Sequence, residues 1–274
     1  MKKKTGIILL VLLFTFSLVG CRDAETPAEE RAFAAYTHYL GLIGHDGSGA
    51  WDADFTMDME ISFMGMTFNT TSEGHSIAIT EDEENMLLYM SMNTDMGIMG
   101  SMEMVLYMSI VDGVITDMFM SIDGHEMPDT YLDQDMFDEM AGAADASNVP
   151  VFDLGDIVYV EIKEEGNYTT FNLLLDISAM ANFIEELFAD QTDEMLAMLG
   201  ADVGFSLSFG DYMSVSLVVY EDDTNPVAMT MNMEMTMSFD GAEFEEMDGE
   251  EIHINSTIEY RYNAFGDDVV FEGL

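Results

Sequence analysis

The sequence predicts an α+β protein built on one large, curved antiparallel sheet of about ten strands, a half-barrel with helices packed on its apolar concave face. Three observations predict it. Apolar residues recur at every second position over much of residues 51–262, the period of a strand with one buried side. Helical periodicity is confined to three segments, 28–43, about 130–141 and 178–199. One run, 227–239, holds the strand pattern for 13 residues without a break. At about 3.3 Å per residue such a strand is roughly 43 Å long, where about five or six residues is usual, and this suits a large sheet better than a small sandwich.

The chain opens with a segment that belongs to export. Lys2, Lys3 and Lys4 precede an apolar run from Ile7 to Val19, too short for a membrane span of about 20 residues and flanked as a signal peptide is. Leu18-Val19-Gly20-Cys21 then resembles the lipobox of bacterial lipoproteins. That resemblance implies removal of residues 1–20, a diacylglycerol on the Cys21 thiol and acylation of the new N-terminus. The protein would then sit on the outer, extracytoplasmic face of a bacterial membrane. Two or more acyl chains hold a protein stably there, at about 0.8 kcal/mol per buried methylene. Residues 21–27 form the lipidated tether, and 28–274 a single domain. Cys21 is the one cysteine, so no intramolecular disulfide forms.

The domain begins with a helix. Thr26-Pro27-Ala28-Glu29 is a capping box with proline in the first turn, and Phe33, Tyr36, Leu40 and Ile43 follow at helical spacing. Gly44 is placed to end the helix in a left-handed conformation. From Trp51 the period becomes two. Phe55, Met57, Met59, Ile61 and Phe63 share a side, and so do Met86, Leu88, Met90 and Met92. Met102, Met104, Leu106, Met108 and Ile110 form a third set, and Val114, Met118, Met120 and Ile122 a fourth. At the hairpin between these last two, a two-residue loop would set Met108 against Asp117. A three-residue loop, Val111-Asp112-Gly113, sets Ile110 against Val114 and Leu106 against Met118, so it is the one expected. Further strands are expected at about 156–163, 168–177, 203–209, 212–220, 227–239 and 252–262.

Charge excludes some functions. The chain carries 54 acidic residues against 7 basic ones, a net charge of −47. Loss of Lys2–Lys4 with the signal leaves Arg22, Arg31, Lys163 and Arg261, and a mature charge of −50. A field of that sign repels phosphate backbones, so nucleic acid is not a partner. It also strains a compact fold at low salt, a strain that fades as the screening length shortens.

No residue pattern points to catalysis, and the sequence gives no reason to expect an enzyme. There is no serine elbow, phosphate loop or dinucleotide fingerprint. His38, His45, His75, His125 and His253 lack zinc-site spacing, and the acid clusters lack the calcium-loop pattern. No catalytic residue, cofactor or metal ligand is therefore assigned.

Methionine is the outstanding residue, with 28 copies. Methionine can simply fill a core, yet it is a poor strand former and specifies packing loosely. A sheet side made of it also fits a deformable lining for a greasy ligand of variable shape. Thioethers also bind Cu(I). The residues expected to line a ligand groove are Met57, Met59, Met104, Met118, Met229, Met231, Met233 and Met235.

The layout of a lipid anchor, a first helix, and a long antiparallel sheet with a helical segment inserted between strands resembles the half-barrel lipoproteins typified by LolA, LolB and LppX. The resemblance spans most of residues 28–274 and rests on architecture. It implies a curved sheet wrapped around helices or a cavity, and binding of lipids or other lipoproteins. The expectation is a cell-surface lipoprotein that binds a lipid or other hydrophobic molecule in an apolar, Met-rich groove. The alternatives are a structural or interaction protein with a closed core and no small ligand, and a Cu(I) binder using Met thioethers.

Overall fold

Thr-Pro-Ala-Glu is chemically prepared to start a helix, and a helix starts there. The computed structural model describes residues 26–43, 48–63, 65–82, 85–95, 97, 100–112, 114–126, 154–178, 181, 203–220, 225–241 and 251–271. In it, helix α1 spans Pro27–Leu42. The Thr26 hydroxyl accepts from the Glu29 N–H at 3.2 Å, and the Glu29 carboxylate accepts from the Thr26 N–H at 2.9 Å. Two backbone donors that a helix start leaves without partners are thereby satisfied. Cys21, Gly44, the 130–141 helix and nearly all of the 178–199 helix lie outside the described residues.

Twelve strands follow among the described residues, where about ten were expected. They are β1 (Gly49–Phe63), β2 (Met66–Asp82), β3 (Asn85–Asp95), β4 (Ser101–Val111), β5 (Val114–Ile122), β6 (His125–Glu126), β7 (Ile157–Glu165), β8 (Tyr168–Asp176), β9 (Val203–Phe209), β10 (Tyr212–Tyr220), β11 (Pro226–Gly241) and β12 (Glu251–Phe265). All pair antiparallel in one open sheet, ordered β6-β5-β4-β3-β2-β1-β12-β11-β10-β8-β7, with β9 paired to the far half of β11. The seam is β1 against β12, which joins an N-terminal meander to the later strands over twelve opposed pairs from Trp51↔Phe265 to Ser62↔His253.

The two strands that periodicity did not show are β2 and β6. β6 is two residues long. β2 is long but disguised. Residues directly opposed across an antiparallel pair share a side, so Thr70, Ser72, Gly74, Ser76 and Ala78 lie with Met59, Met57, Phe55, Ala53 and Trp51. The apolar side of the sheet is thus small and partly polar along β2. The reason is steric: a Cβ on Gly74 would fall inside contact distance of the Phe55 ring end and the Ser91 carbonyl oxygen. Phe55 lies across β2, and only glycine leaves room for it.

The hairpin between β4 and β5 corrects the expected three-residue loop. Val111 pairs with Val114, and Asp112 adopts φ 53, the left-handed conformation that a two-residue hairpin loop demands. The sidedness problem is solved by a bulge. Ser109 opposes Asp117 but Ile110 opposes Ile115, so Thr116 is the extra residue and Met108 meets Met118. The Thr116 hydroxyl donates to the Ser109 carbonyl at 3.2 Å.

One side of the sheet forms the core. Trp51, Ala53, Phe55, Met90, Met92, Leu106, Met120, Phe171, Leu173, Leu175, Met213, Val215, Leu217, Met229, Ile258 and Tyr260 are buried together with Ala32, Tyr36, Tyr39 and Leu40 of α1. The helix packs on β1, β7 and β8. The Tyr262 hydroxyl donates to that of Tyr39 at 2.9 Å. The Arg31 guanidinium lies 5.8 Å from the Phe171 ring centre and 2.7 Å from Glu164. Trp51 meets Tyr260 edge-on at 6.2 Å.

The opposite side is wet and acidic, with Asp54, Asp58, Glu60, Glu73 and Glu259 exposed. Among the described residues it carries two aromatic contact groups. Phe271 stacks on Tyr107 at 5.5 Å and meets Tyr89 at 5.8 Å, and Tyr168 stacks on Tyr220 at 4.4 Å with a hydroxyl–hydroxyl hydrogen bond of 2.8 Å. The β7 edge carries Glu161, Lys163, Glu164 and Glu165, charges that discourage another strand from pairing there.

Two outcomes are expected. Gly74→Ala should cost about 1–3 kcal/mol through overpacking against Phe55 and the β3 backbone, read as a lower urea midpoint at unchanged slope. Burial holds Tyr36, Tyr39, Tyr260 and Tyr262 far above the ordinary phenol range. Their neutral forms stabilise the fold fully below the unfolded-chain value near 10, and that contribution fades as pH rises beyond it. These four tyrosines should ionise only as the chain unfolds, read as a rise in phenolate absorbance that coincides with loss of circular dichroism on raising the pH.

Candidate functional site

Burial of the apolar side is uneven along the strands. In β1, Trp51, Ala53 and Phe55 are buried, while Met57, Met59, Ile61 and Phe63 are only half-buried. In β2, Ser76 and Ser72 are buried, Thr70 is half-buried, and Phe68 and Met66 are 41% and 53% exposed. In β11, Met229 is buried, whereas Met231, Met233, Met235 and Met237 are half-buried. The end of the sheet under α1 is closed; toward the β1–β2 hairpin tip the apolar side is half-buried to exposed on β1, β2 and β11, while Ile258 and Ile254 of β12 between them stay buried.

The register sets this open part. Across β12, Ile258 stands between Met57 and Met231, Ser256 between Met59 and Met233, and Ile254 between Ile61 and Met235. With strands about 4.8 Å apart, the two Met rows flank β12 about 10 Å from each other. Five of the eight expected lining residues, Met57, Met59, Met231, Met233 and Met235, therefore form one thioether wall. Met229 is on the same side but buried against the aromatic core. Met104 and Met118 lie on β4 and β5, well across the sheet from this wall. Met104 opposes Met92 and Ile122, and Met118 opposes Met108; Met104, like Met57 and Met231, packs against the one buried core cluster that holds Met90, Met92 and Met120.

The alternation did not reveal the hydroxyls set into this side. Ser72 and Thr94 are buried and bonded to each other at 2.8 Å, and the Ser76 hydroxyl lies 3.5 Å from the Ala53 carbonyl. The Thr70 oxygen is buried with no hydrogen-bond partner. These residues sit on β2 and β3, and β2 is the strand whose apolar side is not apolar in sequence, so no period-two signal marked it.

Charged groups face the other way. The Thr71 hydroxyl donates to Asp58 at 2.6 Å, and His75 stands 2.9 Å from Asp54 and 3.8 Å from Asp52. His253 lies 3.5 Å from Glu251, and His38 3.4 Å from the Asn225 side chain. Among the described residues, no group of three His, Cys, Asp or Glu is placed to hold a metal, and no helix is long and apolar enough to cross a membrane. The open wall can offer flexible, polarizable thioether and aromatic contacts and a few hydroxyls.

No family model matches the chain, and no curated protein does. Among solved structures, it is similar to a DUF1329-family protein from Desulfovibrio piger at 11% identity and a TM-score of 0.27, over 87% of this chain and 95% of that one. It is also similar to an outer membrane lipoprotein-sorting protein domain from Vibrio parahaemolyticus at 7% identity and a TM-score of 0.23, over 89% and 94% of the two chains. Likenesses at TM-scores this low carry no weight for fold or function, which rest here on the strands and side chains themselves.

The graded burial should be visible as graded reactivity. With dilute hydrogen peroxide, Met66, then Met59, Met233 and Met235, should convert to sulfoxide ahead of Met229 and Met213, which are each 3% exposed. Peptide mass spectrometry of timed samples reads the order.

Proposed function

We propose that this chain is a cell-surface lipoprotein that binds a lipid or another hydrophobic molecule on the open, Met-lined part of its sheet. The observation that carries the reading is the wall formed by Met57, Met59, Met231, Met233 and Met235, half-buried and continuous with exposed Met66 and Phe68. Monomeric proteins rarely leave a contiguous apolar surface of more than a few hundred Å² uncovered unless it contacts something. Thioether side chains adapt to ligands of different shape where branched residues would not.

In this reading the sheet curves as a half-barrel within a single domain, 28–274. Amphipathic segments at about 130–141 and 178–199 join α1 on the concave side. They cover part of it and leave a groove. Cys21, acylated after removal of residues 1–20, tethers the protein to the outer face of the membrane, so bound lipid is held outside the cytoplasm. The site asks for no cofactor and no bond-making residue; the role is binding.

The test uses the full chain carrying Cys21→Ser, so that no lipid of its own is attached. Native mass spectrometry should show a co-purifying hydrophobic adduct, and a fluorescent fatty acid should bind and be displaced by unlabelled lipid. A clean apo mass with no displaceable binding would overturn the reading and leave a surface protein with a closed core.

A further inference from the structure

Two positions apart on the same side of β2, two hydroxyls have different surroundings. Ser72 is fully buried, and its oxygen lies 2.8 Å from that of Thr94. The Thr70 oxygen is equally shut off from solvent and bonds to nothing. A hydroxyl in that state bears its desolvation cost with no return, and an acceptor brought to it recovers that cost. Its place is specific. Thr70 opposes Met59, which opposes Ser256, which opposes Met233. It stands inside the thioether wall, at the step between the closed core and exposed Phe68 and Met66.

We propose that Thr70 is the polar anchor of this site, donating its hydroxyl proton to the carbonyl oxygen of a neutral ester in an acylated lipid. The assignment rests on the hydrophobic-ligand reading above and narrows it to one ligand class. Hydrocarbon alone would leave the oxygen unpaired. A free carboxylate is disfavoured because it enters a chain of net charge −47 with no cation facing it among the described residues. Arg31 is paired with Glu164 and Lys163 with Glu161, and Arg261 opposes Asp54 on the wet side. An ester carbonyl accepts a hydrogen bond without carrying charge into that field.

Three probes of one shape separate the possibilities: dodecylpyrene, the methyl ester of pyrenedecanoic acid, and pyrenedecanoic acid itself. They are titrated by fluorescence into the full chain carrying Cys21→Ser, and into the same chain with Thr70→Val or Thr70→Ser. The ester should bind tightest. Thr70→Val, which keeps the shape and removes the hydroxyl, should weaken the ester by about 2- to 12-fold, the worth of one hydrogen bond, with dodecylpyrene unchanged. Thr70→Ser should restore the ester. An unchanged ratio of ester to hydrocarbon in Thr70→Val overturns the assignment and leaves the binding reading standing. Equal loss of all three probes also overturns it, because Thr70 would then act through the shape of the wall. If none of the three binds the parent chain, the binding reading fails and the assignment with it.

Discussion

Sidedness is the constraint on which the rest of this structure depends. In a strand, neighbouring side chains point to opposite sides, and direct opposition across a ladder passes that choice to the next strand. Here the choice is carried across eleven ladders. Every irregularity in them preserves it, including the Thr116 bulge and the shift between Asp52 and Ala53 against β12. Slipping one strand by one residue would send its acids into the core and its methionines into water. With so many carboxylates on the wet side, the electrostatic penalty for such a slip adds to the hydrophobic one, and a single register is well specified.

The apolar side is not uniform, and its variation divides the sheet into parts with different work. Near α1 it is aromatic and closed, with Trp51, Phe55, Tyr260, Tyr262, Tyr36 and Tyr39 in mutual contact. Aromatic pairs add about 0.5–1.5 kcal/mol each beyond the area they bury, and hydroxyls such as those of Tyr39 and Tyr262 partner one another. Away from α1 the same side becomes aliphatic, sulfur-rich and more open. β2 lies along this transition, and its small residues are the counterpart of large ones on β1. Phe55 occupies the space above Gly74.

Much of this was legible in the sequence. The Thr26 capping box placed the start of α1, and alternation placed ten of the twelve strands within a few residues. Both signals are local, which is why they could be read. β2 was missed because its contribution is the absence of side chain beneath Phe55, a demand made by a neighbouring strand. The β4–β5 loop was misjudged for a related reason. A bulge at Thr116 separates loop length from register, and such a bulge leaves no mark in the alternation. Of the expected lining residues, the five nearest β12 stand together because their strands are neighbours in the sheet. Met104 and Met118 stand three and four strands away from β1, a separation hidden from the sequence because strand order cannot be read from a pattern that every strand shares. Thr70 had no signal at all, since a lone threonine acquires meaning only from the company the fold gives it.

The seam between β1 and β12 has a consequence for how the molecule comes into being. The first and last strands of this sheet in chain order are partners, separated by some two hundred residues of chain. The first five strands can zip up as successive hairpins while synthesis continues, but β1 keeps a bare flank until Glu251–Phe265 arrives. Closing so long a loop is slow compared with forming a hairpin. For that interval the nascent protein exposes a fifteen-residue strand edge with unspent backbone donors and acceptors, the kind of template on which chains aggregate. Loss of β12 would make that interval permanent, because β12 is the strand that joins β1 to β11.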